Sequence, residues 1–200
     1  MRAFVTGITA ALILTACGNA NGSPKVRVEV AAAPAAIAAS EPETAIVPLT
    51  SEVDAKIAQI RAVLERNSLT RLVRLAQAEE NFVSNFADES HRVHWDLLRR
   101  TGFDPLLRLG ALLDDPYQTR QVGDETWYIW PDFAAMDADE LVLERLNFTD
   151  RARLRALVGD PGLDRIRDGQ GYSGIRTAIA EDGRWLYFVH ETVEETQASE

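Results

Sequence analysis

The chain holds one cysteine, Cys17, and it stands directly after an unbroken run of weakly polar and apolar residues, positions 3–16. One thiol cannot close an intrachain disulfide, and it excludes every Cys-rich zinc pattern. Whatever folds downstream is therefore held by packing alone. The composition permits that: 46% of residues are hydrophobic and 26% charged, a globular balance rather than a disordered one. Two hundred residues leave room for one ordinary domain or two small ones. Asp+Glu outnumber Lys+Arg by 31 to 21, for a net charge of −10. Phosphate backbones need a basic face, so nucleic acid is not an expected partner.

The apolar run, AFVTGITAALILTA, follows a single positive residue, Arg2. As a helix it would reach roughly 21 Å, short of the ~30 Å hydrocarbon core of a bilayer. That is the length of a secretory h-region rather than of a spanning helix. Its end, Leu14-Thr15-Ala16-Cys17, resembles the lipobox of bacterial lipoproteins. The resemblance implies a signal peptide over 1–16, removed before Cys17. It also implies lipid attachment at Cys17: diacylglycerol on the thiol and an acyl chain such as palmitate on the new amine. Each buried CH₂ contributes about 0.8 kcal/mol, so two or three chains anchor a protein essentially permanently. Gly18 stands where an Asp would retain the protein at the inner membrane under enteric-type sorting. The implied location is the cell envelope, on the periplasmic face of the outer membrane.

Positions 17–50 read as the lipidated cysteine plus a disordered Ala/Pro-rich tether. Pro24, Pro34, Pro42 and Pro48 interrupt any long helix. Lys25–Val30 alternates like a strand but would be unstable alone. A coil of this length spans roughly 30 Å, enough to stand a domain off a membrane. Positions 51–190 read as a single globular domain. Positions 191–200 carry four acids and no base, and are expected to be an acidic, frayed tail.

Within 51–190 the pattern is helical first and β later. Ser51-Glu-Val-Asp54 fits a capping box, and Val53, Ile57, Ile60 and Leu64 recur as one helical stripe. Further helices are expected after Asn67 or Ser68, over about Ser90–Arg100, and from Asp104-Pro105 to Asp115-Pro116. Asp137–Leu146 and Asp150–Val158 also read as helices, with Gly159 as a stop and a short helix after Asp160-Pro161. Gln118–Val122 with Thr126–Trp130, and Tyr172–Ala180 with Arg184–His190, read as hairpins; the second turns at Asp182-Gly183. Phe82–Phe86 is a short strand or loop. The expected class is α+β: N-terminal helices packed on a small antiparallel sheet with a C-terminal β-hairpin. The element order resembles the nuclear-transport-factor-like cone fold, with fewer strands than that fold uses. The stretches WYIWPDFA and GIRTAIAEDGRWLYFV resemble lipoproteins of proteobacteria that carry no assigned activity.

Several constellations bear on chemistry. Gly169-Gln-Gly171-Tyr-Ser-Gly174 matches GxGxxG, but it follows a helix and opens a strand, the reverse of a dinucleotide site. No cofactor is expected. His91 and His94, at i and i+3, share a helix face near Asp96. Zinc would need a third ligand and no HExxH motif exists, so no metal is expected. The same region is the place for a hydrolase, the alternative function, although Ser84, Ser90 and Ser173 lack the GxSxG elbow. Asp137-Ala-Asp139-Glu140 lacks the glycine and distal glutamate of a calcium loop. The aromatic strands are the better candidates for binding. In a strand, Trp127 and Ile129 face one way and Tyr128 and Trp130 the other. On the same alternation Trp185 pairs in direction with Tyr187, and Leu186 with Phe188. Trp95, Trp127, Trp130, Asp132 and Tyr172, with His91 and His94, are the candidate binding residues. Positions 114–144 hold nine acids and one base, whereas 145–167 hold six arginines and three acids. The expected function is a membrane-anchored, non-catalytic binding or scaffolding domain. Its partner would be an envelope protein, peptidoglycan or a small molecule.

Overall fold

The computed structural model describes residues 47–87 and 89–191. The signal peptide, Cys17, nearly all of the tether and the tail beyond Glu191 lie outside the described residues. Helices α1 (Ser51–Glu65), α2 (Leu69–Gln77), α3 (His91–Arg100) and α4 (Pro105–Asp114) come first. Strands β1 (Gln118–Val122) and β2 (Glu125–Trp130) form the first hairpin, and β3 (Arg176–Ala180) with β4 (Trp185–Val189) the second. All neighbours are antiparallel, in the order β1-β2-β3-β4. The protein is thus α+β; among the described residues, four helices precede a four-stranded sheet.

Side-chain caps start the helices where the sequence places polar residues. Ser68, Ser90 and Asp104 accept from Arg71, Val93 and Leu106 respectively. At α1 the cap is Thr50, not Ser51. The Thr50 side chain accepts from the Val53 amide, while its hydroxyl donates to the Glu181 carbonyl at 2.9 Å. Ser51 merely donates to the neighbouring Glu52 carboxylate. The bond to Glu181 ties the start of the domain to the turn of the second hairpin. Gly183 in that turn has φ +86°, and an added Cβ would stand 2.9 Å from the Glu52 carbonyl oxygen.

One sheet face and the four helices enclose the main core. Tyr128, Trp130, Ile179, Trp185 and Phe188 meet Val53, Ile60, Leu72, Leu109 and Leu112 there. Each such buried side chain contributes about 1.5–3 kcal/mol relative to exposure. Trp185 and Phe188 lie on the same face, with rings 6.5 Å apart and 22° from parallel. Strict alternation would have separated them. A register shift at Ala178/Ile179 pairs Ile179 with Trp185 but Ala178 with Tyr187. The extra residue reverses the direction of the following side chains. Leu186 and Tyr187 therefore join Trp127, Ile129 and Ala178 on the opposite face.

Residues 131–175 connect β2 to β3 and build a second small core. Phe133, Leu141, Leu143, Leu154 and Ile166 meet there, against α5 (Phe148–Arg167). The expected helix over 137–146 is not formed. Only Leu143–Arg145 makes a 3-10 turn. Leu141 and Leu143 are both buried in the second core, and positions i and i+2 point to opposite sides of an α-helix, so packing wins over helix propensity. α5 is broken at Gly159, with φ +67°, as expected of the stop there. Strand β3 starts at Arg176 rather than Tyr172. Outside the strands, Val83 pairs with Tyr187 and exchanges two backbone hydrogen bonds with Leu186 and Phe188. Among the described residues no helix is long and apolar enough to cross a membrane.

Candidate functional site

The seven candidate binding residues do not converge on one cavity. Trp95 and Trp130 are 1% and 2% exposed and belong to the main core. Trp130 packs 5.3 Å from the Tyr117 ring. Trp127 lies on the opposite sheet face, half-buried, with its Nε1 donating to Glu125 and its ring 6.3 Å from Tyr187.

His91 and His94 both lie on α3. Among the described residues no three His, Cys, Asp or Glu side chains are placed to hold a metal ion. Asp96 pairs with Arg92 at 2.7 Å. His94 is buried, and His91 packs its ring against Phe82 and Trp95. Burial pushes the His91 imidazole below its ordinary pKa, so the neutral ring is favoured. Its Nδ1 lies 2.8 Å from Ser84 Oγ. The Asn85 amide donates into the same Oγ at 3.1 Å, and which of Ser84 and His91 donates in their own contact follows the imidazole tautomer. This serine–histidine contact is invisible as a motif because the six residues between the two follow no catalytic pattern.

Asp132 lies close enough to Tyr172 to act on its phenol electrostatically, although the two make no direct hydrogen bond. The sequence places Asp132 just after β2, and its backbone N–H donates to the Pro116 carbonyl at 2.8 Å. Arg153 on α5 donates to both Asp132 oxygens, at 2.8 and 2.7 Å, and its guanidinium lies 4.3 Å from the Phe133 ring centre. Tyr172 donates to the Ile175 carbonyl at 2.8 Å and is pushed far above the usual phenol pKa by burial. Its ring folds back over Gly174, where an added Cβ would stand 2.6 Å from the hydroxyl. Of the three glycines in the GxGxxG run, Gly174 is thus the one that makes room for Tyr172.

Beside this group a cleft of about 170 Å³ opens between α4 and α5. Its walls include Phe103, Arg108, Leu112, Asp115, Ile175 and His190. Arg108, Leu112 and Asp115 are spaced i, i+4, i+7, one helix face continued into the cap residue. The Phe103 and His190 rings lie 4.3 Å apart, tilted by 36°, and the Arg108 guanidinium lies 5.7 Å from the Phe103 centre. Asp115 is half-buried. Burial raises its pKa; Arg153 opposes that rise, and Asp132 and Asp114 add to it. Sequence reasoning missed this cleft. The available signal was a charged pair bracketing an otherwise leucine-rich helix.

A second surface lies on the outward sheet face. Val83, Phe86, Arg176, Tyr187 and Val189 line a groove of about 220 Å³ at the β4 edge. Phe86 is 67% exposed there. Burial pushes Tyr187 up to about 12, with Arg176 and Arg120 opposing. No family model, curated protein or solved structure matches this chain.

Proposed function

We propose that the protein is a lipid-anchored component of the cell envelope whose domain binds a partner protein through the outward sheet face. One observation carries this: Phe86 stands exposed beside Val83, Tyr187 and Val189 on a sheet whose other face is already filled by the helices. Interface centres favour aromatic anchors flanked by arginine, and Arg120 and Arg176 flank Tyr187 here. The first described residues meet side chains of the helix-covered face. The Tyr117 and Tyr128 hydroxyls hold the Val47 and Pro48 carbonyls at 2.9 and 3.1 Å, on the β1–β2 side. None of residues 47–50 lines the groove beside Phe86. The lipobox-like end of the apolar run at Cys17 supports the anchor.

The test is photocrosslinking in cells from residue 86, with residues 107 and 148 as controls. Leu107 and Phe148 are at least as exposed, at 71% and 87%, but lie outside this groove. A discrete adduct from residue 86 alone is expected. Equal capture from all three would sink the docking face. Mass spectrometry of the mature chain should find acyl chains on Cys17; an unmodified thiol would remove the anchor.

A second reading, hydrolysis near His91, His94 and Asp96, has the Ser84–His91 hydrogen bond in its favour. Ser84 is only 2% exposed, however, and its oxygen already accepts from Asn85. A serine-directed fluorophosphonate that labels Ser84 would favour hydrolysis; an unlabelled Ser84 would dismiss it.

A further inference from the structure

We infer that the cleft between α4 and α5 binds a small zwitterion, a free amino acid or a short peptide with both termini charged. Two opposite charges open into one cleft without using each other. Neither the Arg108 nor the Asp115 side chain makes a hydrogen bond or a contact ion pair with any described residue. Elsewhere the domain pairs such groups readily, as in Arg153 with Asp132 and Arg155 with Asp160.

The Asp115 carboxyl is the stronger indication. It is half-buried beside two further carboxylates, Asp132 and Asp114, and only Arg153 offsets them. Leaving a partly desolvated carboxylate without a hydrogen-bond donor costs free energy. A ligand ammonium supplies up to three donors and a compensating charge. At the other end Arg108 offers a planar guanidinium fork to a carboxylate. Its position near the Phe103 ring, itself packed against His190, limits the directions it can take. Leu112, Leu157 and Ile175 supply an apolar wall for the atoms between the two charges. A plain cation would leave Arg108 unused, and a plain anion would meet Asp115.

Size sets the class. A dry cavity of about 150 Å³ accommodates benzene, whereas drug-sized ligands need about 300–1,000 Å³. At about 170 Å³ the cleft suits a handful of heavy atoms and excludes a nucleotide. Seven residues of helical rise separate the two Cα atoms by roughly 10 Å, so ligands with well-separated charges should fit best.

Calorimetric titration of the full chain carrying Cys17→Ser, which removes any acylation, tests this. The probes are glycine, 4-aminobutanoate and glycylglycine, with butanoate and butylammonium as single-charge controls. We expect saturable binding of at least one zwitterion, with the control ions at least about tenfold weaker. Asp115→Asn and Arg108→Gln should each weaken that binding by about tenfold or more. Preference for 4-aminobutanoate points to a free amino acid, and preference for glycylglycine to a peptide. Absence of saturable binding by all three zwitterions overturns the inference. So does equal binding of butanoate or butylammonium, or full binding by both variants with circular dichroism unchanged. Failure of the sheet-face partner would not affect any of these outcomes, because the cleft shares no residue with the Phe86 groove.

Discussion

Thr177→Val isolates one buried polar chain at the centre of the sheet. Thr177 and Trp185 are both 0% exposed. The Trp185 Nε1–H donates to Thr177 Oγ1 at 2.8 Å, and the Thr177 hydroxyl donates onward to the Tyr187 carbonyl at 2.6 Å. Valine keeps the shape and removes the oxygen. The indole N–H then has no acceptor where no water reaches it, at a cost of about 1–3 kcal/mol. The second lost hydrogen bond adds about 0.5–1.5 kcal/mol. The expected total is about 2–4 kcal/mol, read as a fall in the urea midpoint with an unchanged slope. Trp185→Phe removes the donor but opens a cavity, so it destabilises by itself. In the double variant no orphan N–H remains. The two effects should therefore be less than additive, by about 1 kcal/mol or more. Additivity within about 0.5 kcal/mol, or a cost of Thr177→Val below about 0.5 kcal/mol, would refute the linkage.

The same fold makes three further outcomes expected. Burial and neighbouring acids raise the Asp115 pKa, so the fold favours its protonated form. Its ionisation costs stability as pH rises above the unfolded value near 3.8; Asp115→Asn should therefore stabilise the protein at neutral pH and lose that advantage below about pH 3.8. His91 has a lowered pKa, so the unfolded chain binds its proton first; stability should fall as pH drops below the unfolded value of 6.5, and His91→Gln should flatten that segment of the stability–pH curve in urea titrations. Gly183→Ala meets both positive φ and the Glu52 carbonyl, whereas Gly123→Ala at φ +62° meets open space. Gly183→Ala should cost about 2 kcal/mol or more and Gly123→Ala about 1 kcal/mol, with a reversed order in thermal melts arguing against the hairpin–α1 contact.

The parts legible in the sequence are those decided within a few residues. Ser68, Ser90 and Asp104 could be read as caps because a cap acts on an amide two or three positions away. The stripe Leu106, Leu109, Leu113 marks α4 for the same reason. The misreadings share a different cause. Asp137–Leu146 has the composition of a helix, yet the second core claims Leu141 and Leu143 together. The alternation of β4 fails because one register shift, set by the partner strand, turns Tyr187 away from Trp185. Thr50 displaces Ser51 as the cap because Glu181, far along the chain, offers a carbonyl to its hydroxyl. The aromatic candidates divided likewise: period two correctly separated Trp127 from Trp130, but only the helices decide which face is closed.

The same distinction explains why the cleft escaped notice and why Asp115 matters most in it. Its walls come from the loop before α4, from α4 itself, from α5 and from the end of β4, so no local spacing encodes them. What local sequence does show is an acid at the end of a leucine-rich helix, where an acid is electrostatically misplaced. A helix C-terminus carries partial negative charge and favours a cation. Asp114 and Asp115 both sit there, and Asp132 is near enough to raise the Asp115 pKa further. Selection for stability alone would favour asparagine at 115. A residue that the fold holds at a cost, facing a cleft, is the pattern expected where binding rather than stability sets the choice. Asp115→Asn therefore separates the two demands in one variant. It should raise the unfolding midpoint at neutral pH and weaken zwitterion binding by about tenfold or more. A variant that gained neither stability nor lost affinity would show that Asp115 answers to neither demand.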